Sequence, residues 1–304
     1  MLSFSTCWNS SRHKDGEEMI DEILGIGFDT IEISHGLSIS LLPGIQKAYE
    51  EGKFKVSGLH NFCPSPVEVM IDAPDCYEFS SHRAYERRRA LELTFKTIEY
   101  AAGFHASYVV LHMGSVPMPV MSKDMHAMVA QGKLNNEEYV QMKLKFIRRR
   151  EKVEELYYNR AQEALTRIAA QAEKFKVPVA VESRSRYEDV PSEREMVRLM
   201  NEFKDNPWVG YWHDFGHVQL KHNLAMLNHR EWLQTMEPFL IGCHLHDVEW
   251  PNRDHQVPLS GTIDYDSLLP HISKDKYLVW ELNPRRKKSK IIEALDQWKQ
   301  RYGT

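Results

Sequence analysis

The feature that most constrains the fold of this 304-residue chain is an alternation of short apolar runs of β character with longer stretches of helical periodicity. Eight such runs can be traced: FSTCW (4–8), DTIEIS (29–34), KVSGLH (55–60), YVVLH (108–112), VPVAVE (177–182), YWHDFGH (211–217), LIGCHLHD (240–247) and YLVWEL (277–282). Between most of them, Lys14 to Gly27, Arg83 to Gly103, Val153 to Phe175, Ser192 to Asp205 and Ser289 to Tyr302 carry apolar residues every three to four positions, flanked by charges. Strands that read as continuous Val/Ile/Leu/Tyr runs are buried on both faces, as parallel strands covered by helices are. Eight strand–helix units predict an α/β fold, a single (β/α)8 (TIM) barrel spanning residues 1–304. The rival, an open doubly wound sheet, normally carries a Gly-rich phosphate turn after its first strand, and NSSRHKDG (9–16) is not one.

A barrel fixes where chemistry can occur, because its active site lies at the carboxyl ends of the strands. Glu182, Asp214, His244 and Glu281 end four consecutive runs. Any one alone would read as a helix cap or an arginine partner. Three carboxylates brought to one pocket repel each other and lose hydration, which a cation relieves. The set suits one divalent ion of the Mn, Mg, Co or Zn kind.

One stretch exceeds a minimal barrel. Residues 114–152, after the fourth strand, are expected to form an extended loop and helical insertion over the active-site mouth, serving as a lid, a specificity wall or a contact in a homo-oligomer. Met118, Met121, Met125 and Met128 recur there at helical spacing, which points to packing. A shorter loop, Cys63 to Ser81, follows the third strand.

A net charge of −4 argues against bulk attraction to nucleic acid or an anionic membrane. The basic clusters at 87–89, 148–150 and 285–288 are expected on solvated helix faces. Cys7, Cys63, Cys76 and Cys243 lack CxxC spacing and read as reduced thiols. With no leader-like or membrane-spanning segment recognisable, a cytoplasmic location is the default expectation.

The motifs WHDFGH (212–217) and CHLHD (243–247), together with Glu182, Glu281 and PLSGTIDY (258–265), resemble those of the xylose-isomerase-like barrels, a superfamily of ketose epimerases, inositol-pathway isomerases and dehydratases, and the endonuclease IV group. The resemblance implies a metal-dependent isomerase or epimerase acting on a small carbohydrate or cyclitol. Glu182 and Glu281 would bind the metal through one oxygen each and serve as acid and base, with Asp214 and His244 completing the metal shell. The ion would polarise a carbonyl and stabilise an enediolate. His217, His246 and Arg184 would contact substrate, with Trp8, Trp212 and Trp250 offering flat walls to a sugar ring. His246 stands where relatives often have lysine. Glu32, His60 and His112 end the second, third and fourth runs.

His60 and His112 carry the rival reading, because the endonuclease IV group places such histidines around a further zinc. His217 and the Asp254–His255 pair would then hold a third ion. That group uses Asp-x-His, whereas this chain has adjacent residues, whose side chains strand alternation would aim apart. A multinuclear zinc phosphodiesterase is therefore the runner-up, and a non-catalytic carbohydrate-binding barrel the third class.

Overall fold

The structure, a computed structural model, describes residues 1–69 and 74–303. Eight parallel strands close into a barrel: β1 (Leu2–Ser5), β2 (Thr30–Ile33), β3 (Lys55–His60), β4 (Val109–Leu111), β5 (Val179–Glu182), β6 (Val209–Asp214), β7 (Leu240–Leu245) and β10 (Tyr277–Trp280). Between β7 and β10 a small antiparallel hairpin is inserted, β8 (Asp247–Glu249) and β9 (Arg253–Gln256). The first strand is earlier and shorter than expected, since Thr6–Trp8 turn into a 3-10 helix.

The helices expected from periodicity appear as α1 (Gly16–Leu24), α3 (Ala84–Gly103), α6 (Glu154–Phe175), α7 (Glu193–Glu202) and α11 (Lys288–Tyr302). Their starts have chemical causes. Asp15 accepts the amide N–H groups of Glu17 and Glu18 at the head of α1, and Ser192 with Glu195 forms a reciprocal capping box at α7. Five further helices, α2 (Leu42–Glu50), α4 (Ser122–Ala130), α5 (Glu137–Glu151), α8 (Phe215–Asn223) and α9 (His229–Met236), join the short α10 (Tyr265–Leu268). Helix α8 is buried almost all round, which removes the amphipathic pattern that would have revealed it.

The insertion after β4 folds as α4 and α5. Its methionines pack: Met125 and Met128 join Val129, Tyr139 and Phe146 in a small core against Leu224 and Tyr187. The Tyr139 hydroxyl donates to the carbonyl of Leu224, and Glu188 accepts from the Met121 amide and the Ser122 hydroxyl. At the end of α5 the 148–150 cluster departs from expectation. Arg150 is fully buried, where it donates to Glu154, to both oxygens of Glu195 and to the carbonyls of Tyr187 and Asp189. Cys7, Cys63 and Cys243 are buried and Cys76 is partly so, all as free thiols.

Inside the barrel, Val110, Ala180, Trp212 and Val279 cluster together, joined by Tyr108 two residues before Val110. Alternate residues on a strand share a face, so the positions two further along carry the next layer up. Those positions are His112, Glu182, Asp214 and Glu281. In the strand registry Glu182 pairs with Trp212, and Asp214 pairs with His244.

Candidate metal centre

Glu182, Asp214, His244 and Glu281 each present one donor atom, all within 4.8 Å of one another. The four are at most 3% exposed. His244 Nδ1 lies 2.9 Å from Glu182, 3.3 Å from Glu281 and 3.7 Å from Asp214. Glu281 Oε1 is buried with no hydrogen-bond partner among the described residues, a state that a cation would relieve. Three carboxylates and an imidazole, with one buried carboxylate oxygen unsatisfied, are a donor set that fits a divalent ion.

Electrostatics bind the group together. Burial alone would raise the Glu182 carboxyl, but the charges and hydrogen bonds of His112 and His244 outweigh it and hold it well below the carboxylate range. Glu281 is depressed in the same way by His244 and His255, and Asp214 by His217 and His246, again against burial. Burial would lower His244, yet Glu281, Glu32 and Glu182 push it well above the usual imidazole value.

Around this core, His35 lies 3.8 Å from Glu281 beside His60, and further histidines gather on two sides. On the Glu182 side, His112 Nε2 is 2.5 Å from Oε2 and His60 Nε2 is 3.4 Å from the same oxygen. His112 also contacts Asp75 through Nδ1 at 2.9 Å, and Arg184 donates to the other Asp75 oxygen at 2.7 Å. Residues 70–73 of this Cys63–Ser81 loop lie outside the described residues, but Asp75 does not, and it brings to His112 a carboxylate that no periodicity in the loop could locate. Burial and Arg184 would lower His112, but Asp75 and Glu182 raise it.

On the Asp214 side, His217, His246 and His255 bring a ring nitrogen each within 4.8 Å of one another. The expectation that Asp254 and His255 diverge fails, because His255 adopts a left-handed backbone (φ +51) that breaks strand alternation. Its Nδ1 lies 3.3 Å from Asp254 and its Nε2 3.6 Å from Glu281. These two acids push His255 well above its usual value despite burial.

Three substrate-contact expectations need correction. Trp212 is fully buried one layer beneath Asp214, its ring edge-on to His244 at 5.0 Å, so it forms the floor of the centre and no wall of the mouth. Trp8 is 1% exposed, donates to the Arg286 carbonyl and has its face covered by the Arg12 guanidinium at 4.0 Å. Trp250, in contrast, is half exposed. His246 is fully buried with both nitrogens engaged, Nε2 on Asp214 at 3.0 Å and Nδ1 accepting the His255 amide at 2.8 Å, which leaves it a support for Asp214. Glu32, placed by the sequence at the end of the second run without a role, has two oxygens that each lie 3.2 Å from His244 Nε2.

The barrel, with acid and imidazole gathered at the carboxyl ends of its strands, is the architecture of a known class. The family of xylose isomerase-like TIM barrels matches residues 20–301, and the chain belongs to it. Among solved structures it resembles 3-keto-D-glucoside 4-epimerase YcjR from E. coli (TM-score 0.70, 17% identity, covering 98% of each chain). It also resembles a D-tagatose 3-epimerase-like protein (TM-score 0.69, 16% identity, 98% of this chain and 97% of the other). A third is IOLI protein with a bound zinc atom (TM-score 0.66, 16% identity, 97% and 95%). At these identities the likeness shows the fold. Comparison with curated proteins gives no match. No helix among the described residues is long and apolar enough to cross a membrane.

Proposed function

We propose that this protein is a sugar isomerase or epimerase that uses one divalent metal ion, held by Glu182, Asp214, His244 and Glu281. The observation that carries the reading is the convergence of these four buried residues on one point, with both glutamates held as carboxylates. Solved structures that the chain resembles include a 3-keto-D-glucoside 4-epimerase, a D-tagatose 3-epimerase-like protein and one with a bound zinc atom, which supports the same class. When bound, the ion would supply Lewis-acid polarisation of a substrate carbonyl and its neighbouring hydroxyl.

The residues of the chain then divide the remaining work. One glutamate, as a carboxylate, can accept a proton from the carbon beside the carbonyl; the opposite glutamate can return one only after taking up a proton of its own, for which a substrate hydroxyl is the source, so the two exchange roles between turnovers. Return from the other face inverts the centre; transfer between adjacent carbons interconverts aldose and ketose. Burial keeps water from competing for that proton. His217, whose Nδ1 lies 3.1 Å from the Ser183 carbonyl, would offer its other ring nitrogen to a substrate hydroxyl, and burial lowers its pKa. His60 is likewise lowered by burial.

The multinuclear hydrolase reading keeps one specific support, the placement of His60 and His112 on the outer oxygen of Glu182. Against a third ion stands His246, which would have to surrender a hydrogen bond to bind one. The deciding experiment is metal analysis of protein purified without chelator, combined with assays on ketoses, inosose-type cyclitols and abasic-site DNA. One tightly held ion and turnover of a small polyol are expected. Two or more zinc ions, lost together in His60→Ala/His112→Ala, with metal-dependent DNA cleavage by the parent, would replace this reading with the hydrolase.

A further inference from the structure

His244 is gripped from two sides. Its Nδ1 faces the three carboxylates of the candidate centre, while its Nε2 lies 3.2 Å from each oxygen of Glu32 at the end of β2. Glu32 is itself fully buried in the barrel interior. The Tyr108 hydroxyl approaches it at 3.1 Å and also lies 3.2 Å from Ser57 Oγ, which is 2.7 Å from Ser3 Oγ. A polar chain thus runs from His244 down into the barrel, through the layer that holds Trp212 and Val279.

Such an arrangement is hard to explain as packing. An interior carboxylate loses its hydration, and an apolar side chain of similar size would fill the same space without that penalty. Glu32 is kept there by what it contacts, an imidazole N–H and a phenol O–H. An imidazole that donates one ring N–H to a carboxylate has its tautomer fixed, and its other nitrogen is a stronger donor to a metal.

We infer that Glu32 is a positioning residue for the metal centre: it holds His244 with the proton on Nε2, so that Nδ1 is the nitrogen offered to a divalent ion, and its charge strengthens that ion's binding. Tyr108 in turn fixes the Glu32 carboxylate. This rests on the metal reading above and extends it to residues outside the four converging side chains. Glu32 touches neither the proposed ion nor the substrate, and acts through His244.

The test uses zinc and manganese titrations by chelator competition on the full chain, with Glu32→Gln, Tyr108→Phe and, as a remote control, Glu22→Gln. Glu32→Gln keeps the shape and the hydrogen bond but removes the charge, and is expected to weaken divalent binding by roughly 10- to 100-fold. Tyr108→Phe, which leaves the carboxylate, should weaken it less, and the control should leave it unchanged. Histidine ¹⁵N spectra of the zinc-loaded parent give a second readout that needs no variant to fold. His244 should show Nδ1 bound to metal and Nε2 protonated. Zinc on Nε2, or Glu32→Gln binding metal as tightly as the parent, overturns the assignment alone. A parent that takes up neither ion overturns the metal reading and this inference with it.

Discussion

Replacing Gly216 by Ala sets a local preference against the geometry of the centre. Gly216 is the second residue of α8, directly after Asp214 and Phe215. By helix propensity alone the change should stabilise by up to about 1 kcal/mol. The structure predicts the reverse. A Cβ at this position would lie 1.9 Å from Cε1 and 2.3 Å from Nδ1 of His246. Reaching ordinary contact at 3.4 Å requires the ring to retreat by about 1.5 Å (3.4 − 1.9). The ring cannot make that move and keep both its 3.0 Å contact with Asp214 and its 2.8 Å bond from the His255 amide. Losing the hydrogen bond to a charged acceptor costs about 1.5–3 kcal/mol, and the neutral one about 0.5–1.5 kcal/mol, more than the propensity gain. Asp214 would also lose the partner that orients it, so divalent affinity should fall by roughly 10- to 100-fold. Thermal unfolding and a chelator-competition titration measure both effects, with Gly103→Ala as the control, since a Cβ there meets nothing within 4 Å. A Gly216→Ala protein that is more stable than the parent and binds metal equally well would refute the reasoning.

The remaining predictions follow from charge. Glu281→Gln should lower turnover by about 10²–10⁴-fold while the protein stays folded, and unchanged turnover in metal-loaded variant would remove Glu281 from the acid/base pair. Because His244 sits well above its usual value, metal-free protein at pH 7 carries a proton there; binding at Nδ1 should release about one proton per ion, measurable by calorimetry in buffers of different ionisation enthalpy. The same raised value stabilises the metal-free fold fully below the unfolded imidazole pKa near 6.5 and is lost as pH climbs through the folded value, so metal-free protein should become less stable with rising pH in the range where this group dominates; a flat or opposite alkaline trend in denaturant titrations counts against it. Arg150→Met should destabilise by about 3–5 kcal/mol, since it leaves Glu154 and Glu195 without their shared guanidinium in a buried site, and a change of less than half that would mean the acids find other partners.

The barrel and the four converging residues were legible because they depend on two simple periodicities, strand–helix alternation along the chain and a polar residue at the end of successive parallel strands. What escaped depends on contacts between distant segments. Asp75 reaches His112 and Arg184 from a loop whose own sequence carries no period, and Arg150 finds its acids on α6 and α7, so a basic triplet at the end of a helix read as solvated. The hairpin β8–β9 was hidden because it is short, and His255 departs from strand alternation through its backbone, which residue identity does not encode.

Trp212 shows that more could have been extracted. Once Asp214 is placed at the rim, the period of two puts residue 212 on the same inward face and one layer deeper, where a tryptophan fills the barrel and cannot reach the mouth. The same step back from His112, Glu182 and Glu281 gives Val110, Ala180 and Val279, and a second step back along the fourth strand gives Tyr108. A large ring at 212 is what lets a cluster of carboxylates sit above a dry interior. Shrinking it would open a path for water beneath His244, whose ring packs edge-on against the indole. Glu32 brings a charge into that interior, and His244 Nε2 is the group that accounts for it. The chemistry proposed at the rim and the packing beneath it meet at His244, whose ring rests edge-on against Trp212 while its Nε2 reaches Glu32.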